Sequence, residues 1–216
     1  MPALGRGGGA TPVGYNFRTS KTCAPARFRT VPSVTLNISN PDARCDVELA
    51  LGLSYSVTTR TPARIEGLLE QLLQQPDSQV ADSVGGLISS ITVLENIALP
   101  GIYHGYLSLA QVDQCVVDAF AECGLSGREA EALCRKRPGE IDPFEKRLAG
   151  FVRGLLAAPQ LLIYNRFFEG LTREEMARAA ALNSVFRERH PSGTAVYLML
   201  GDMPDLQPEC HQRLEM

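Results

Sequence analysis

Thr194-Ala-Val-Tyr-Leu-Met-Leu200 is a seven-residue run without a charge, apolar on both of its alternating faces. A strand of that kind must be covered on both sides, which points to the interior of a parallel sheet. A second apolar run, Leu161-Leu-Ile-Tyr164, stands about thirty residues earlier. Each run follows a segment with helix chemistry. Asp142-Pro143-Phe144-Glu145 supplies an N-cap, a Pro at the first helical position and a Glu three residues on, ahead of the stripe Phe144, Leu148, Phe151, Val152 and Leu155. Thr172-Arg-Glu-Glu175 opens a long helix ending near His190. Helix, strand, helix, strand in that order implies an α/β fold with a parallel core.

The first half of the chain alternates differently. Val34, Leu36 and Ile38 share one strand face; Asn40-Pro41-Asp42-Ala43 is turn chemistry. A second alternation follows from Val47 to Tyr55, so a β-hairpin or two neighbouring strands are expected. Thr61-Pro62 then starts a helix with Ile65, Leu68, Leu69, Leu72 and Leu73 as its stripe. Gln79 to Ser90 reads as a Gly- and Ser-rich loop, and a helix begins at Thr92. Ser108 caps a helix with Leu109, Val112, Val116, Phe120 and Cys123 inward, ended by Gly124. Ser126-Gly-Arg-Glu129 opens another short one. The reading is a flexible tail over 1–27 and a single domain over 28–216, with a helical subdomain over about 101–138.

Composition excludes several classes. With 216 residues, 44% apolar and 21% charged, the chain can bury an ordinary core. A net charge of −3 speaks against a nucleic-acid partner held by bulk electrostatics. No apolar run reaches the roughly 18–20 residues of a membrane span. Met1 to Gly14 has no apolar core, so no secretory signal is expected there. The six cysteines form no CxxC pair and the three histidines are scattered, so no metal site is expected and a reducing compartment is. Glu140, Asp142 and Glu145 are a carboxylate group better explained by helix capping than by metal.

Three segments carry chemistry in their spacing. Leu161-Leu-Ile-Tyr-Asn165-Arg166 runs out of a helix and ends on a polar pair, followed by Phe167-Phe168-Glu169-Gly170-Leu171. Gly85-Gly-Leu-Ile-Ser-Ser-Ile-Thr-Val-Leu-Glu-Asn-Ile-Ala-Leu-Pro100 is a glycine lead-in to a helix start. Arg137 to Leu156 is a short approach and a capped helix. Together, in this order, they resemble ATP-binding-cassette (ABC) ATPases from about Val31 to Met216. The Gly-Gly-Leu-Ile-Ser lead-in is most similar to the ATPase subunits of bacterial phospholipid and toluene-tolerance transporters. The resemblance implies a P-loop-NTPase-like sheet with a parallel core and a helical subdomain. The antiparallel β-subdomain that precedes Gly85 in the family is shortened or absent.

The same resemblance exposes departures at each chemical position. The family's Mg²⁺-organising Asp and water-orienting Glu correspond to Asn165 and Arg166; an amide cannot neutralise a divalent cation and a guanidinium cannot act as base. A phosphate-binding loop needs glycines and a Lys. Gly52-Leu-Ser-Tyr-Ser-Val-Thr58-Thr59 keeps only its first Gly and final Thr, has no Lys, and fits an ordinary strand-to-helix loop. No Q-loop glutamine aligns. The signature loop corresponds to Ile141, Asp142, Pro143, Phe144 and Glu145, where two carboxylates already occupy the helix end that would attract an anion. Gly201 stands where the family places a His, before Asp202-Met203-Pro204, and Thr172 replaces the Asp after Gly-Leu. Phe167-Phe168 is either a protein contact or core.

The expectation is therefore a catalytically degenerate ABC-ATPase-like subunit with no catalytic residues, no metal and no cofactor. It would act through a permease or an active ATPase partner, peripheral at the inner face of the membrane or in the cytoplasm, with an asymmetric dimer allowed. The helical subdomain and Gly85–Pro100 would carry the permease contact, by resemblance. Two alternatives stand beside it. One is a divergent ATPase still using ATP and Mg²⁺ through Arg60, Arg166 or partner groups. The other is a free-standing interaction module.

Overall fold

The computed structural model describes residues 34–40, 43–201 and 210–215. The expected tail over 1–27, the turn residues Pro41 and Asp42, Cys23 and the segment after Gly201 lie outside them.

Five strands form one parallel sheet in the order β4 (Ser78–Asp82), β5 (Leu161–Asn165), β6 (Thr194–Leu200), β3 (Ser54–Thr59), β7 (Gln212–Glu215). A separate antiparallel pair, β1 (Val34–Asn40) with β2 (Ala43–Leu49), precedes it. The period-2 alternation distributes side chains to two cores. Tyr55, Val57, Leu161, Ile163, Val196 and Leu198 face α1 (Pro62–Leu73) through Ile65, Leu68 and Leu72. Leu162, Tyr164, Ala195, Tyr197 and Met199 face the opposite side. There they pack with a helical run of α2 (Val93–Tyr103), α3 (Val112–Glu122) and α4 (Gly127–Arg135), and with α5 (Pro143–Leu156) and α6 (Arg173–Arg189). The layers are helix, sheet, helices.

Several local expectations appear in atomic form. Asp142, Ser126 and Thr172 each accept a hydrogen bond from the backbone N–H of the Glu three residues on, and that Glu reaches back to the cap N–H. Thr92 and Glu95 do the same at α2. These reciprocal hydrogen bonds hold Glu95, Glu129 and Glu175 below the usual carboxylate range.

Other expectations need correction. Gln79–Ser90 is not wholly loop, because Ser78–Asp82 is the edge strand β4, registered against Leu161–Asn165. The strand expected from Val47 to Tyr55 is broken at Gly52, whose φ of 77° turns the chain between β2 and β3. The helix placed at Ser108 begins at Val112, and Leu109 is 76% exposed instead of inward. Phe167 and Phe168 are core. Phe167 meets Tyr164 edge-on at 5.2 Å, and Phe168 stacks near Tyr197, which itself stacks on Tyr164 at 4.2 Å. Between α1 and Gly85 only β4 intervenes, as a shortened β-subdomain requires.

His190 lies buried at the end of α6, and its Nε2–H donates to the Leu155 carbonyl at 3.0 Å. Burial holds its pKa below the ordinary 6.5, partly offset by that hydrogen bond. A histidine kept neutral in the fold stabilises it above the unfolded pKa, and that stability is lost as pH falls through the depressed value. Thermal unfolding measured between about pH 7.5 and 5.5 should show falling stability, and His190→Gln, which keeps a donor but cannot charge, should fall less. Identical profiles would remove His190 from the acid response.

Candidate functional site at the carboxyl edge of the sheet

In an open parallel sheet, ligands meet the carboxyl ends of strands where following helices leave for opposite faces. Here β3 leads to α1 on one face, while β5 leads to α6 on the other. The edge between them holds a cleft of about 130 Å³, lined by Pro62, Ile65, Glu66 and Leu69 from α1, Asn165 at the end of β5, Arg166 in the turn after it, and Leu200 from β6. Sites for drug-sized ligands run to about 300–1,000 Å³, and this cleft is smaller.

The connection from β3 to α1 consists of Arg60 and Thr61 alone. The reading of Gly52–Thr59 as a strand-to-helix loop is corrected accordingly: Ser54–Thr59 is a central strand, paired with β6 on one side and β7 on the other. Its Tyr, Val and Thr residues suit a pleated, buried position, and four of its first five residues are buried. Gly52 sits at the opposite end of that strand, donating to Thr194 Oγ1 at 3.1 Å and accepting from Arg187. Thr58 Oγ1 donates to the Leu214 carbonyl and Thr59 Oγ1 accepts from Thr61 N–H at 3.2 Å, so both hydroxyls serve local backbone. The connection from β3 to α1 holds neither a glycine nor a lysine, the residue types with which a P-loop cradles phosphate.

Arg166 adopts φ of 52°, unusual for a non-glycine residue. Its N–H donates to the Leu198 carbonyl of β6 at 2.8 Å and its carbonyl accepts from Glu169 N–H, so the turn is tied both to the sheet and across itself. Its Nε meets Glu169 Oε1 at 2.7 Å, which raises its pKa further. The pair is partly exposed and contributes at most about 1 kcal/mol. Gly201 closes the edge with φ of 81°, its N–H donating to the Thr59 carbonyl at 2.9 Å. Thr59, Asn165, Arg166 and Gly201 are thus brought together; Gly52 is not.

Asp142, Pro143 and Phe144 stand at the start of α5. Asp142 Oδ1 accepts from Glu145 N–H at 2.7 Å, and Pro143 offers no N–H. Phe144 is buried, with the Arg178 guanidinium 4.2 Å over its ring. Sequence reasoning overlooked Arg147 on the same helix. It is buried, its Nη2 donates to the Glu169 carbonyl and its Nη1 to the Pro143 carbonyl at 3.4 Å, and burial lowers its pKa. An Arg between Phe144 and Leu148 inside an apolar stripe was the available signal. Glu66 of α1, also overlooked, adds the one carboxylate of the cleft lining. Among the described residues, no three His, Cys, Asp or Glu side chains gather to hold a metal.

No family model matches the chain. It is 27% identical over 126 residues to methionine import ATP-binding protein MetN 1 of Pseudomonas fluorescens, covering 58% of this chain and 36% of that protein. It is 30% identical over 77 residues to the lipoprotein-releasing system ATP-binding protein LolD of Psychrobacter arcticus, covering 36% of this chain and 32% of that protein. The chain spans about a third of the length of these curated relatives. Among solved structures, cbiO1 of Clostridium perfringens, part of the ABC transporter complex cbiONQ, matches with a TM-score of 0.61 over 78% of this chain and 76% of that one, at 12% identity. The chain therefore has the ABC-ATPase fold and is similar to ATP-binding subunits of ABC transporters.

Arg166→Gly should leave stability unchanged or raise it by up to about 1 kcal/mol, because it relieves the positive φ and loses only a surface ion pair. Arg166→Val should lower it by more than about 1 kcal/mol, a β-branched residue being worst placed there. Paired thermal or urea unfolding of the two variants checks the order.

Proposed function

We propose that this chain is a non-hydrolysing ABC-ATPase-like subunit that works by protein contact with a permease or an active ATPase partner. The observation that carries the reading is the two-residue connection between β3 and α1, where a phosphate-binding loop would need glycines and a lysine. Phosphoryl transfer depends on positioning and on neutralising charge, and no single remaining group supplies either. Asn165 and Arg166 replace the acids, Asp142 and Pro143 block the signature helix end, and Gly201 takes the place of the His.

The location of apolar surface supports a contact role. Six of the seven exposed large apolar side chains among the described residues fall between Val84 and Leu109: Val84, Ile88, Leu99, Ile102, Tyr103 and Leu109. Tyr103 is 83% exposed. Exposed apolar groups concentrated in one segment mark a partner surface more often than chance scatter does. This segment runs from the loop after β4 through α2 to the connection before α3, and the resemblance puts the permease against its Gly85–Pro100 part and the helical subdomain. No helix among the described residues is long and apolar enough to cross a membrane, so attachment would come through that partner. The Gly85-Gly-Leu-Ile-Ser89 lead-in supports a transporter of the phospholipid or toluene-tolerance kind. The setting is cytoplasmic, at the inner face of the membrane.

The purified chain should show no Mg²⁺-dependent ATP turnover, and millimolar Mg-ATP should leave its melting temperature unchanged. A site filled at 100 times its dissociation constant would add about 2.7 kcal/mol, a shift of several degrees. Either turnover that survives repeated purification or such a shift would favour the alternative, a divergent ATP-using subunit. Restoring the acids, Asn165→Asp with Arg166→Glu, should give no hydrolysis and lower stability modestly, since two carboxylates would meet at a strand end without a metal. Hydrolysis in that double variant would mean that phosphate is held by groups other than a glycine loop.

A further inference from the structure

The loop that carries Val84 and Ile88 ought to be loose. It leaves an edge strand, contains consecutive glycines at φ of 80° and 56°, and runs from Ser83 to Thr92 before α2 begins. It is instead held at its start, middle and end. At the start, Asp82 Oδ1 accepts from Val84 N–H at 2.8 Å and the Asp82 carbonyl accepts from Gly85 N–H at 3.2 Å. At the end, Asn96 Oδ1 accepts from Ile88 N–H at 2.6 Å, while its Nδ2 donates to the carbonyls of Ile88 at 3.0 Å and Thr92 at 2.9 Å.

The middle is held by α5. Lys146, Gly150 and Arg153 follow at i, i+4 and i+7, one face of that helix. A Cβ on Gly85 would stand 2.3 Å from the Lys146 carbonyl oxygen, and one on Gly150 would stand 2.7 Å from the Gly85 oxygen, so backbone meets backbone with no room for a methyl group. Arg153 then closes over the turn. Its Nη1 donates to the Gly86 carbonyl at 2.7 Å and its Nη2 to the Gly85 carbonyl at 3.2 Å. Two donors on one planar cation reach two successive carbonyls, an arrangement a point charge cannot copy. Burial lowers the Arg153 pKa, and the nearby Asp82 carboxylate offsets part of that shift.

We propose that Arg153 is a positioning residue that latches the loop between β4 and α2 onto α5, so that Val84 and Ile88 are presented in a preformed arrangement. The latch ties the loop that leads into α2 to α5 in the free chain. Its use to a partner rests on the contact reading above, since a preordered surface loses less conformational entropy on docking. The latch itself does not depend on that reading.

Hydrogen exchange on the full chain tests it, with no partner present. Wild type should protect the amides of Val84, Gly85 and Ile88. Arg153→Gln should speed their exchange about tenfold or more, the scale of losing charge-assisted hydrogen bonds to an ordered turn. Peptides from β5 and β6 should stay protected as in wild type, which separates a local latch from general destabilisation. Arg153→Lys, able to reach one carbonyl at a time, should fall between. Gly150→Ala, which keeps the cation but pushes a methyl group into Gly85, should also speed exchange at 83–88 and stands in if Arg153→Gln fails to fold. Exchange at those amides within twofold of wild type in Arg153→Gln, or unprotected already in wild type, would overturn the proposal. ATP turnover or Mg-ATP stabilisation would overturn the contact reading and leave the latch standing.

Discussion

Leu161–Asn165 and Thr194–Leu200 run side by side at the middle of the sheet with apolar side chains on both faces, and neither strand survives in water without helices on either side. Everything else follows from covering that pair. The α1 side is satisfied by one helix through Ile65, Leu68 and Leu72. The other side needs more, because it carries the rings of Tyr164 and Tyr197, stacked at 4.2 Å and joined by Phe151, Phe167 and Phe168. Each such aromatic buries about 150–250 Å². That cluster draws α5, the turn after β5 and the helical run into a single core.

α5 is the hub of that arrangement. One face fills the core with Phe144, Leu148, Phe151, Val152 and Leu155. Its two buried or half-buried arginines reach outward along the sheet's carboxyl side, Arg147 to the turn after β5 and Arg153 to the turn after β4. Its N-terminus is already occupied by Asp142 and Glu145. A helix whose positive end is capped internally has little left to offer an external anion. The carboxylates that make the helix start well defined also place negative charge at its positive end.

The carboxyl edge is likewise held by internal bonding. Thr59, Arg166 and Gly201 spend their backbone groups on one another's strands, and Arg166 pairs with Glu169. With β3 joined to α1 by Arg60 and Thr61 alone, the strand ends close on a cleft of about 130 Å³. Exposed apolar surface accumulates instead between Val84 and Leu109, on the helical side.

By itself the sequence determined the elements whose causes are local. The caps at Ser126, Asp142 and Thr172 need only a partner three residues away, and β5 and β6 announce themselves by unbroken apolar runs. The side chains at Asn165, Arg166 and Asp142 and the bare Gly201 were legible for the same reason, since chemical type at a spaced position is read from the sequence directly. What tertiary structure alone decided depended on pairing. Ser54–Thr59 is a strand because β6 and β7 flank it; Ser54 and Ser56 would suit a loop equally well. Ser78–Asp82 is a strand because β5 offers it a ladder, its own side chains being mostly polar. Phe167 and Phe168 turned inward because Tyr164 and Tyr197 had already built an aromatic floor. Arg153 found its two carbonyls because Gly85 and Gly150 let two backbones touch across 65 positions of sequence, a closeness that no local pattern encodes.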